Sequence, residues 1–294
     1  MLEHLQIQPI APTRTVVVGS GGFVGGAILR ELTARAMPAV GLTRQEADLL
    51  APGGGEALAR HLKPGDSVVF VSAIAPAKNV AQLMDNLRMA EAACQAFAAV
   101  MPGHLVYISS DAIYADDANP VTESSSAAPT TTHGMMHAAR ELMFKTAVTC
   151  PFAALRPTLI YGARDPHSGY GPNRFRRQAA KGEAISIFGE GEERRDHVLV
   201  DDVARLAALI LLHKSRGALN AVTGVSTSFR DIADMVAAQC PGGKVASTPR
   251  PGPRPHLLHR FFDITGCLKA FPDFRYVRIA DGIADVHKQT MGQS

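Results

Sequence analysis

Two histidines, His133 and His137, lie four residues apart in the segment TTHGMMHAARE. Residues i and i+4 of a helix share one face, so both imidazoles would point the same way. Such a pair can bind a metal ion, move protons near neutral pH, or serve as ordinary helix residues. The spacing alone leaves these three interpretations open, and the elements that position the pair must supply the context.

A glycine-rich turn follows the first β-branched run of the sequence, TVVVG. Gly19, Gly22 and Gly25 have the spacing G-x-x-G-x-x-G, and a helical pattern starts at Phe23 and Val24. These glycines would permit a sharp turn, close approach of the backbone to a pyrophosphate, and close packing of helix on sheet. The helix N-terminus would then present unpaired N–H groups to the anion. Between a strand and a helix, the turn predicts a dinucleotide-binding site rather than a plain loop.

The residues after the second predicted strand, PAVGLT, bear on the type of cofactor. An acidic residue there would bind the ribose 2′-hydroxyl of NAD, whereas an arginine suits the 2′-phosphate of NADP. The chain has Arg44 at this point, which favours NADP over NAD, and Asp48 and Leu49 are expected near the adenine. The alternative is that Arg44 is only a solvated surface residue.

Strands and helices alternate along most of the chain. β-branched or apolar runs begin at Thr15, Pro38, Ser67 and His104, and helical patterns separate them. This alternation predicts an α/β fold with a doubly wound parallel sheet, Rossmann-like, covered by helices on both faces. Later in the chain, FAALRPTLIYG predicts one more strand, and a helix is expected over Val198–Leu212.

Beyond Gly162 the sequence becomes rich in Gly, Arg and Pro, which indicates a smaller C-terminal lobe. The expected division is a dinucleotide-binding domain over residues 1–162, joined by 198–224, and a substrate-binding lobe over 163–197 and 225–294.

Composition limits the class of partner. The 294 residues carry a net charge of +3 with Lys and Arg scattered, which argues against nucleic acid and suits small anionic ligands. No apolar run is long enough to span a bilayer, and the N-terminus does not have the pattern of a signal peptide. Four widely spaced cysteines are expected to be reduced thiols. We therefore expect a cytoplasmic protein without a membrane partner.

The glycine spacing, together with YISSDAIYAD, LRPTLIYGARDP and RRDHVLVDDVARLA, resembles the extended short-chain dehydrogenase/reductase family. This is the branch of nucleotide-sugar epimerases, dehydratases and reductases, and the resemblance covers nearly the whole chain after Arg14. It implies a Rossmann-like domain that holds NAD or NADP and a small C-terminal lobe that closes over a nucleotide sugar. Relatives often form homodimers, which implies the same for this chain.

The resemblance also implies roles for individual residues. Ser72 and Ala73 match positions that pass the nicotinamide side of the cofactor. Ser110 matches the Ser or Thr that hydrogen-bonds the reacting sugar oxygen. Asp111 belongs to a run that resembles one in dehydratases, so it could act as an acid, and its alternative role is a helix cap or loop residue. Arg195 matches an arginine that grips the substrate diphosphate, a task that suits the guanidinium group, although a salt bridge to Glu193 or Asp196 is the structural alternative.

The family motif Y-x-x-x-K falls in register with His133 and His137, so both of its catalytic positions are histidine in this chain. In relatives the tyrosine exchanges a proton with the sugar while the lysine lowers the tyrosine pKa and binds the nicotinamide ribose. His133 could replace the tyrosine as acid/base, because imidazole titrates near neutral pH, and His137 could donate to a ribose hydroxyl.

Two other interpretations compete with this one. The chain could bind a cofactor or nucleotide sugar without redox chemistry. Alternatively, the pair could bind a metal with His167 or Asp111 as a third ligand, and we rank this lowest because a histidine pair alone is a weak signal. Two departures limit the substrate assignment: Ala112 stands where dehydratases have Glu, and Leu159 where many epimerases have a phosphate-binding Asn.

Overall fold

The computed structural model describes residues 1–167, 169–240, 242–250 and 258–291. The strands are β1 Thr15–Val18, β2 Ala39–Leu42, β3 Ser67–Phe70, β4 His104–Ile108, β5 Phe152–Pro157, β6 Leu159–Tyr161, β7 Ile185–Phe188, β8 Arg194–Leu199, β9 Gly217–Ala221, β10 Ser226–Ser228 and β11 Val245–Thr248. The α-helices are α1 Phe23–Ala34, α2 Gly54–His61, α3 Val80–Ala99, α4 Thr132–Ala147, α5 Pro172–Ala180, α6 Val200–Leu212, α7 Phe229–Ala237, α8 Thr265–Ala270 and α9 Ile279–Met291.

The largest sheet is parallel and has the strand order β2-β1-β3-β4-β5-β9. Every residue of β1, β3 and β4 is buried, because helices cover both faces of the sheet. Side chains of α1 and α6, among them Ile28 and Leu206, fill one face. Side chains of α2, α3 and α4, among them Leu58, Phe97 and Phe144, fill the other. The predicted doubly wound α/β fold is confirmed.

The remaining strands form two small sheets, β10-β8-β6 and β11-β7. A separate apolar cluster joins them to α5, α7 and α9, with Phe175, Ile187, Phe229 and Ile283 among its buried members. No helix in the described part of the chain is long and apolar enough to cross a membrane.

Two predicted elements differ from the structure. The expected single strand FAALRPTLIYG is two strands, because the chain leaves the main sheet at Thr158. The Thr158 hydroxyl donates to the carbonyl of Asp196, and β6 then pairs with β8 in the smaller sheet. The helix expected from Val198 begins instead at Val200, because the two preceding residues complete β8.

Candidate active site

A large cleft of about 1070 Å³ opens at the carboxyl ends of β1, β3 and β4. This edge is where parallel α/β sheets bind ligands. One part of the wall comes from the glycine-rich turn and the segments after β2 and β3, and the other from the segments after β4, β6 and the start of α5. The predicted site residues on the wall are Gly19, Gly22, Phe23, Val24, Gly25, Arg44, Ser72, Ala73, Ser110, Asp111 and His133.

The glycine-rich turn is shaped by close backbone contacts. Gly19 has φ +96°, and a side chain there would place Cβ 2.7 Å from the amide nitrogen of Ser72. A side chain at Gly25 would overlap the carbonyl of Gly19. Gly22 caps α1 without a side-chain hydrogen bond, and the N–H groups at Phe23 and after it begin the helix. The turn therefore fits a pyrophosphate, which needs an open helix N-terminus and room for close approach.

The end of the cleft beyond β2 is lined by Thr43, Arg44 and Gln45. Arg44 is 80% exposed along its side chain and forms a 2.9 Å ion pair with Asp48. The Asp48 carboxylate also accepts from the backbone N–H of Leu50, and these hydrogen bonds hold its pKa below the usual value. Neither Asp48 nor the buried Leu49 lines the cleft, because Leu49 packs into the core beside the sheet.

The segment after β4 places Ser110 and Asp111 on the opposite wall. Ser110 caps a short 3₁₀ turn, Asp111–Ile113, by accepting from the N–H of Ala112 at 3.1 Å. Asp111 is largely enclosed, and burial raises the pKa of its carboxyl, with the Arg260 guanidinium opposing the shift. Nε of Arg260 lies 3.8 Å from Oδ2 of Asp111. Ser110 thus presents to the cleft a hydroxyl whose position is fixed by a hydrogen bond. Asp111 presents a carboxyl that binds its proton more tightly than usual.

His133 stands in the first turn of α4, where Thr131 caps the helix by accepting from the N–H of Gly134. Its Nδ1 lies 3.4 Å from the N–H of Ala77, which donates from the loop after β3. Burial lowers the pKa of His133 below its ordinary value, so the ring is neutral at neutral pH. His133 therefore stands on the cleft wall as an uncharged imidazole.

His137 lies behind this wall and does not line the cleft. It is 5% exposed, and its ring is perpendicular to that of His133 at 4.7 Å between centroids. Nδ1 of His137 lies 2.7 Å from the hydroxyl of Tyr107 on β4. Burial, assisted by His133 and Arg140, lowers the pKa of His137 well below its ordinary value. The expectation that His137 reaches the cofactor is therefore not matched by its position in this structure.

Glu141 fastens α4 to the sheet beside the site. Its carboxylate accepts a hydrogen bond from the Ser109 hydroxyl and forms a 2.7 Å ion pair with Arg156 on β5. Arg156 also donates to the hydroxyl of Tyr114 at 2.8 Å. This buried network fixes the rotation of α4, and hence the direction in which His133 points.

A model of the NAD dependent epimerase/dehydratase family matches residues 15–223, from the first strand through the last strand of the main sheet. The chain belongs to this family. The matched range includes the glycine-rich turn, Ser110 and the histidine pair, so the predicted family resemblance is confirmed. That His133 and His137 occupy the tyrosine and lysine positions of the family motif stays a prediction from the sequence.

Solved structures with the same fold are enzymes of sugar nucleotides. The UDP-glucose 4-epimerase of Thermus thermophilus, in complex with NAD, is 23% identical with a TM-score of 0.84, over 96% of this chain and 100% of that one. A GDP-L-fucose synthetase from Naegleria fowleri bound to NADP is 16% identical with a TM-score of 0.84, over 98% of each chain. The UDP-N-acetylglucosamine 4-epimerase of Bacillus cereus is 21% identical with a TM-score of 0.80, over 95% of this chain and 96% of that one.

The structure also bears on two other candidate features from the sequence, Arg195 and the metal interpretation. Arg195 does not line the cleft; its Nη2 lies 3.8 Å from Glu193, and its Nη1 donates to the carbonyls of Arg194 and Leu258. For the metal interpretation, no group of three His, Cys, Asp or Glu side chains within the described ranges is arranged to hold an ion.

Three residues near the site were not singled out from the sequence. Tyr107 and Arg140 lie directly behind the histidine pair, and His197 stands on the cleft wall. A tyrosine inside an otherwise apolar buried strand was the available signal for Tyr107, because an enclosed hydroxyl needs a partner. Arg140 follows the motif by three residues on an apolar helix face, where a charge is unusual.

Proposed function

We propose that this family member is an NAD(P)-dependent enzyme that acts on a nucleotide-activated or related sugar. Hydride would pass between the nicotinamide and a sugar carbon. Ser110 would orient the oxygen on that carbon, and His133 would exchange a proton with the same oxygen. One observation carries the proposal: Ser110 and His133 line the same cleft as the glycine-rich turn. A cofactor on the turn and a sugar beyond β4 would therefore meet between these two side chains.

The cofactor half of the proposal rests on the turn and on Arg44. The open N-terminus of α1 and the side-chain-free positions at Gly19 and Gly25 suit a dinucleotide pyrophosphate. Arg44, at the end of β2, carries a largely exposed guanidinium that suits a 2′-phosphate, so NADP is the favoured cofactor over NAD. When bound, the nicotinamide supplies or accepts the hydride.

The proton half rests on the chemistry of a neutral imidazole. A neutral histidine can accept a proton from a sugar hydroxyl during oxidation and return it during reduction. In His133 the nitrogen that accepts is Nδ1, so its long hydrogen bond from the Ala77 N–H, 3.4 Å, must open first. Ser110 can hydrogen-bond the same oxygen while its own position is held by the N–H of Ala112. His133 needs no lysine to lower its pKa, because burial already does so.

A second candidate function is cofactor or nucleotide-sugar binding without redox chemistry. The position of His137 behind the wall favours it, because no group at the motif's lysine position reaches the cleft. A homodimer through α3 and α4 belongs to either proposal, since Met84 on α3 and Met135 and Leu142 on α4 are exposed.

The experiment that separates the two is a screen of purified protein with NADP or NAD and a panel of nucleotide sugars. Reduced-nicotinamide absorbance and product analysis should reveal turnover with at least one sugar. A His133→Tyr/His137→Lys variant is the matched control. If the variant gains a turnover that the wild-type protein lacks under every condition, the natural site binds without catalysis. If it loses the wild-type activity, the histidines are a working replacement.

A further inference from the structure

Arg140 is a fully buried arginine at the back of the cleft wall. It follows His137 by three residues and His133 by seven, so the three side chains occupy one face of α4. Its Nη2 donates to the carbonyl of Ser72 at 2.6 Å, and its Nη1 lies 3.3 Å from Oδ1 of Asn86. Ser72 itself lines the cleft. One peptide unit therefore separates the guanidinium from the cofactor half of the site.

The charge of Arg140 is not neutralised by its neighbours. Within the described ranges, no carboxylate forms an ion pair with it, and its Nε has no hydrogen-bond partner. The guanidinium lies over the rings of Phe70 and Tyr107, at 5.0 and 5.2 Å from their centroids. The adjacent carboxylate, Glu141, is engaged by Arg156. Aromatic faces offset only part of the cost of burying a cation, so an apolar side chain would be the more stable choice at this position.

We propose that Arg140 is a positioning residue that supplies, from behind the wall, the fixed positive charge that position 137 lacks. This inference rests on the proposed function in one respect: the charge of Arg140 matters for catalysis only if His133 exchanges a proton with a sugar oxygen. Arg140 acts through two contacts. It holds the Ser72 carbonyl in place, and its field disfavours a second positive charge on His137.

The groups around His137 make this effect specific. A charged His137 would be a second cation in the same enclosed space, so Arg140 adds to the effect of burial in keeping the ring neutral, while Tyr107 holds its Nδ1. A developing negative charge on an oxygen beside His133 would instead be stabilised by the same field. The titratable or charged groups near this space are Tyr107 from β4, Cys94 from α3, and His133, Arg140 and Glu141 from α4.

Two substitutions separate charge from packing. Arg140→Met keeps an unbranched side chain and removes the charge, whereas Arg140→Lys keeps a charge that can still reach the Ser72 carbonyl. Nitrogen NMR of labelled imidazoles then follows the titration of His137 in the intact protein. We expect Arg140→Met to raise the midpoint by about half a pH unit or more, and Arg140→Lys to stay near the wild-type value. Arg88→Met, which removes an exposed arginine on α3, is the control and should change nothing.

Unchanged titration of His137 in a folded Arg140→Met variant would overturn the proposal. If that variant does not fold, Asn86→Asp tests the same idea by placing a carboxylate beside the guanidinium at the Oδ1 position, 3.3 Å from Nη1. It should raise the His137 midpoint in the same direction, and a midpoint that stays or falls would contradict the proposal.

Turnover provides the second measurement. With an active nucleotide sugar, Arg140→Met should lower kcat by about tenfold or more with little change in KM, and Arg140→Lys should recover most of it. Equal kcat in Arg140→Met and wild type would overturn the proposed role of the Arg140 charge in catalysis. Absence of turnover in the wild-type protein would instead contradict the proposed function, and the titration would still decide the role of Arg140.

Discussion

The hydroxyl of Tyr107 lies 2.7 Å from Nδ1 of His137, and both side chains are buried. Burial raises the pKa of the Tyr107 phenol, so the hydroxyl keeps its proton. Within the described residues it has no other hydrogen-bond acceptor, so it donates to Nδ1. The neutral His137 ring must then carry its own proton on Nε2. Tyr107 thereby fixes the tautomer of His137.

Tyr107→Phe should allow the neutral His137 ring to adopt both of its tautomers. The variant leaves Nδ1 of His137 without a partner in an enclosed space, so the free energy of unfolding should fall by about 1–3 kcal/mol. Nitrogen NMR should show the His137 ring changing from a single tautomer to a mixture. Tyr170→Phe is the control, because it removes a hydroxyl away from α4, one that accepts from the N–H of Phe188 at 2.9 Å. A single tautomer retained in Tyr107→Phe would show that other contacts fix the ring.

Alanine substitutions in the glycine-rich turn should separate folding from cofactor binding. A methyl group at Gly25 would overlap the Gly19 carbonyl, so Gly25→Ala should lower the free energy of unfolding by more than about 2 kcal/mol. At Gly22 the nearest atom, the Gly19 carbonyl oxygen, would be 3.4 Å from Cβ, which the fold accommodates. Gly22→Ala should therefore fold normally and bind dinucleotide weakly, as titration calorimetry can measure. Equal dinucleotide affinity in Gly22→Ala and wild type would place the pyrophosphate elsewhere.

Replacement of Arg44 tests the cofactor preference. Arg44→Gln removes the guanidinium at the end of β2, so NADP affinity should fall by about tenfold while NAD affinity changes little. Fluorescence titration with both reduced cofactors measures the ratio. Arg35→Gln, which breaks a comparable surface pair with Glu31, should leave both affinities unchanged. A variant that loses affinity for both cofactors equally would show that Arg44 does not select the 2′-phosphate.

His197 should make the fold sensitive to acid. Within the described residues both of its ring nitrogens are enclosed without a hydrogen-bond partner, and burial lowers its pKa from 6.5 to about 4. The unfolded chain binds this proton below about pH 6.5 and the folded chain does not, so stability is lost as pH falls from 6.5 towards 4. The loss in the free energy of unfolding that comes from protonation of His197 is at most ~3 kcal/mol.

His197→Phe should remove that loss, because an uncharged ring of similar shape packs against Phe229. Urea unfolding at several pH values should show that the free energy of unfolding of the variant rises relative to that of the wild type as the pH is lowered. The exposed His259 gives a control, His259→Phe, that should retain the wild-type pH dependence. Parallel curves for His197→Phe and wild type would mean that His197 is protonated or solvated in the folded protein.

The sequence predicts well which residues of the glycine-rich turn reach the cleft, because its signals are local. Gly19, Gly22 and Gly25 sit within one turn, and strand and helix patterns on either side determine which way that turn faces. Ser110 is similarly defined by its place directly after a buried strand. Residues in these positions reach the cleft because the carboxyl ends of parallel strands meet at one edge of the sheet.

The sequence predicts side-chain partners across elements poorly. His137 is predicted to match the family motif, but its contact with Tyr107 spans 30 residues and depends on the rotation of α4. Leu49 follows Arg44 closely, but the chain turns and buries it in the core. The break at Thr158 depends on a hydrogen bond to a strand that comes much later in the chain. Each of these is a tertiary contact that residue type and spacing do not encode.

The most direct test of the central claim is the pH dependence of kcat/KM for the wild-type protein and for His133→Gln. In the direction that oxidises the sugar, His133 accepts the proton. Burial lowers the pKa of His133, so in that direction the wild type should keep its activity at neutral pH and lose it on the acid side, where the ring becomes charged. His133→Gln should lose that acid limb together with about 100-fold or more of the rate, because it has no group to exchange the proton. A variant with near wild-type rate and the same acid limb would contradict the account.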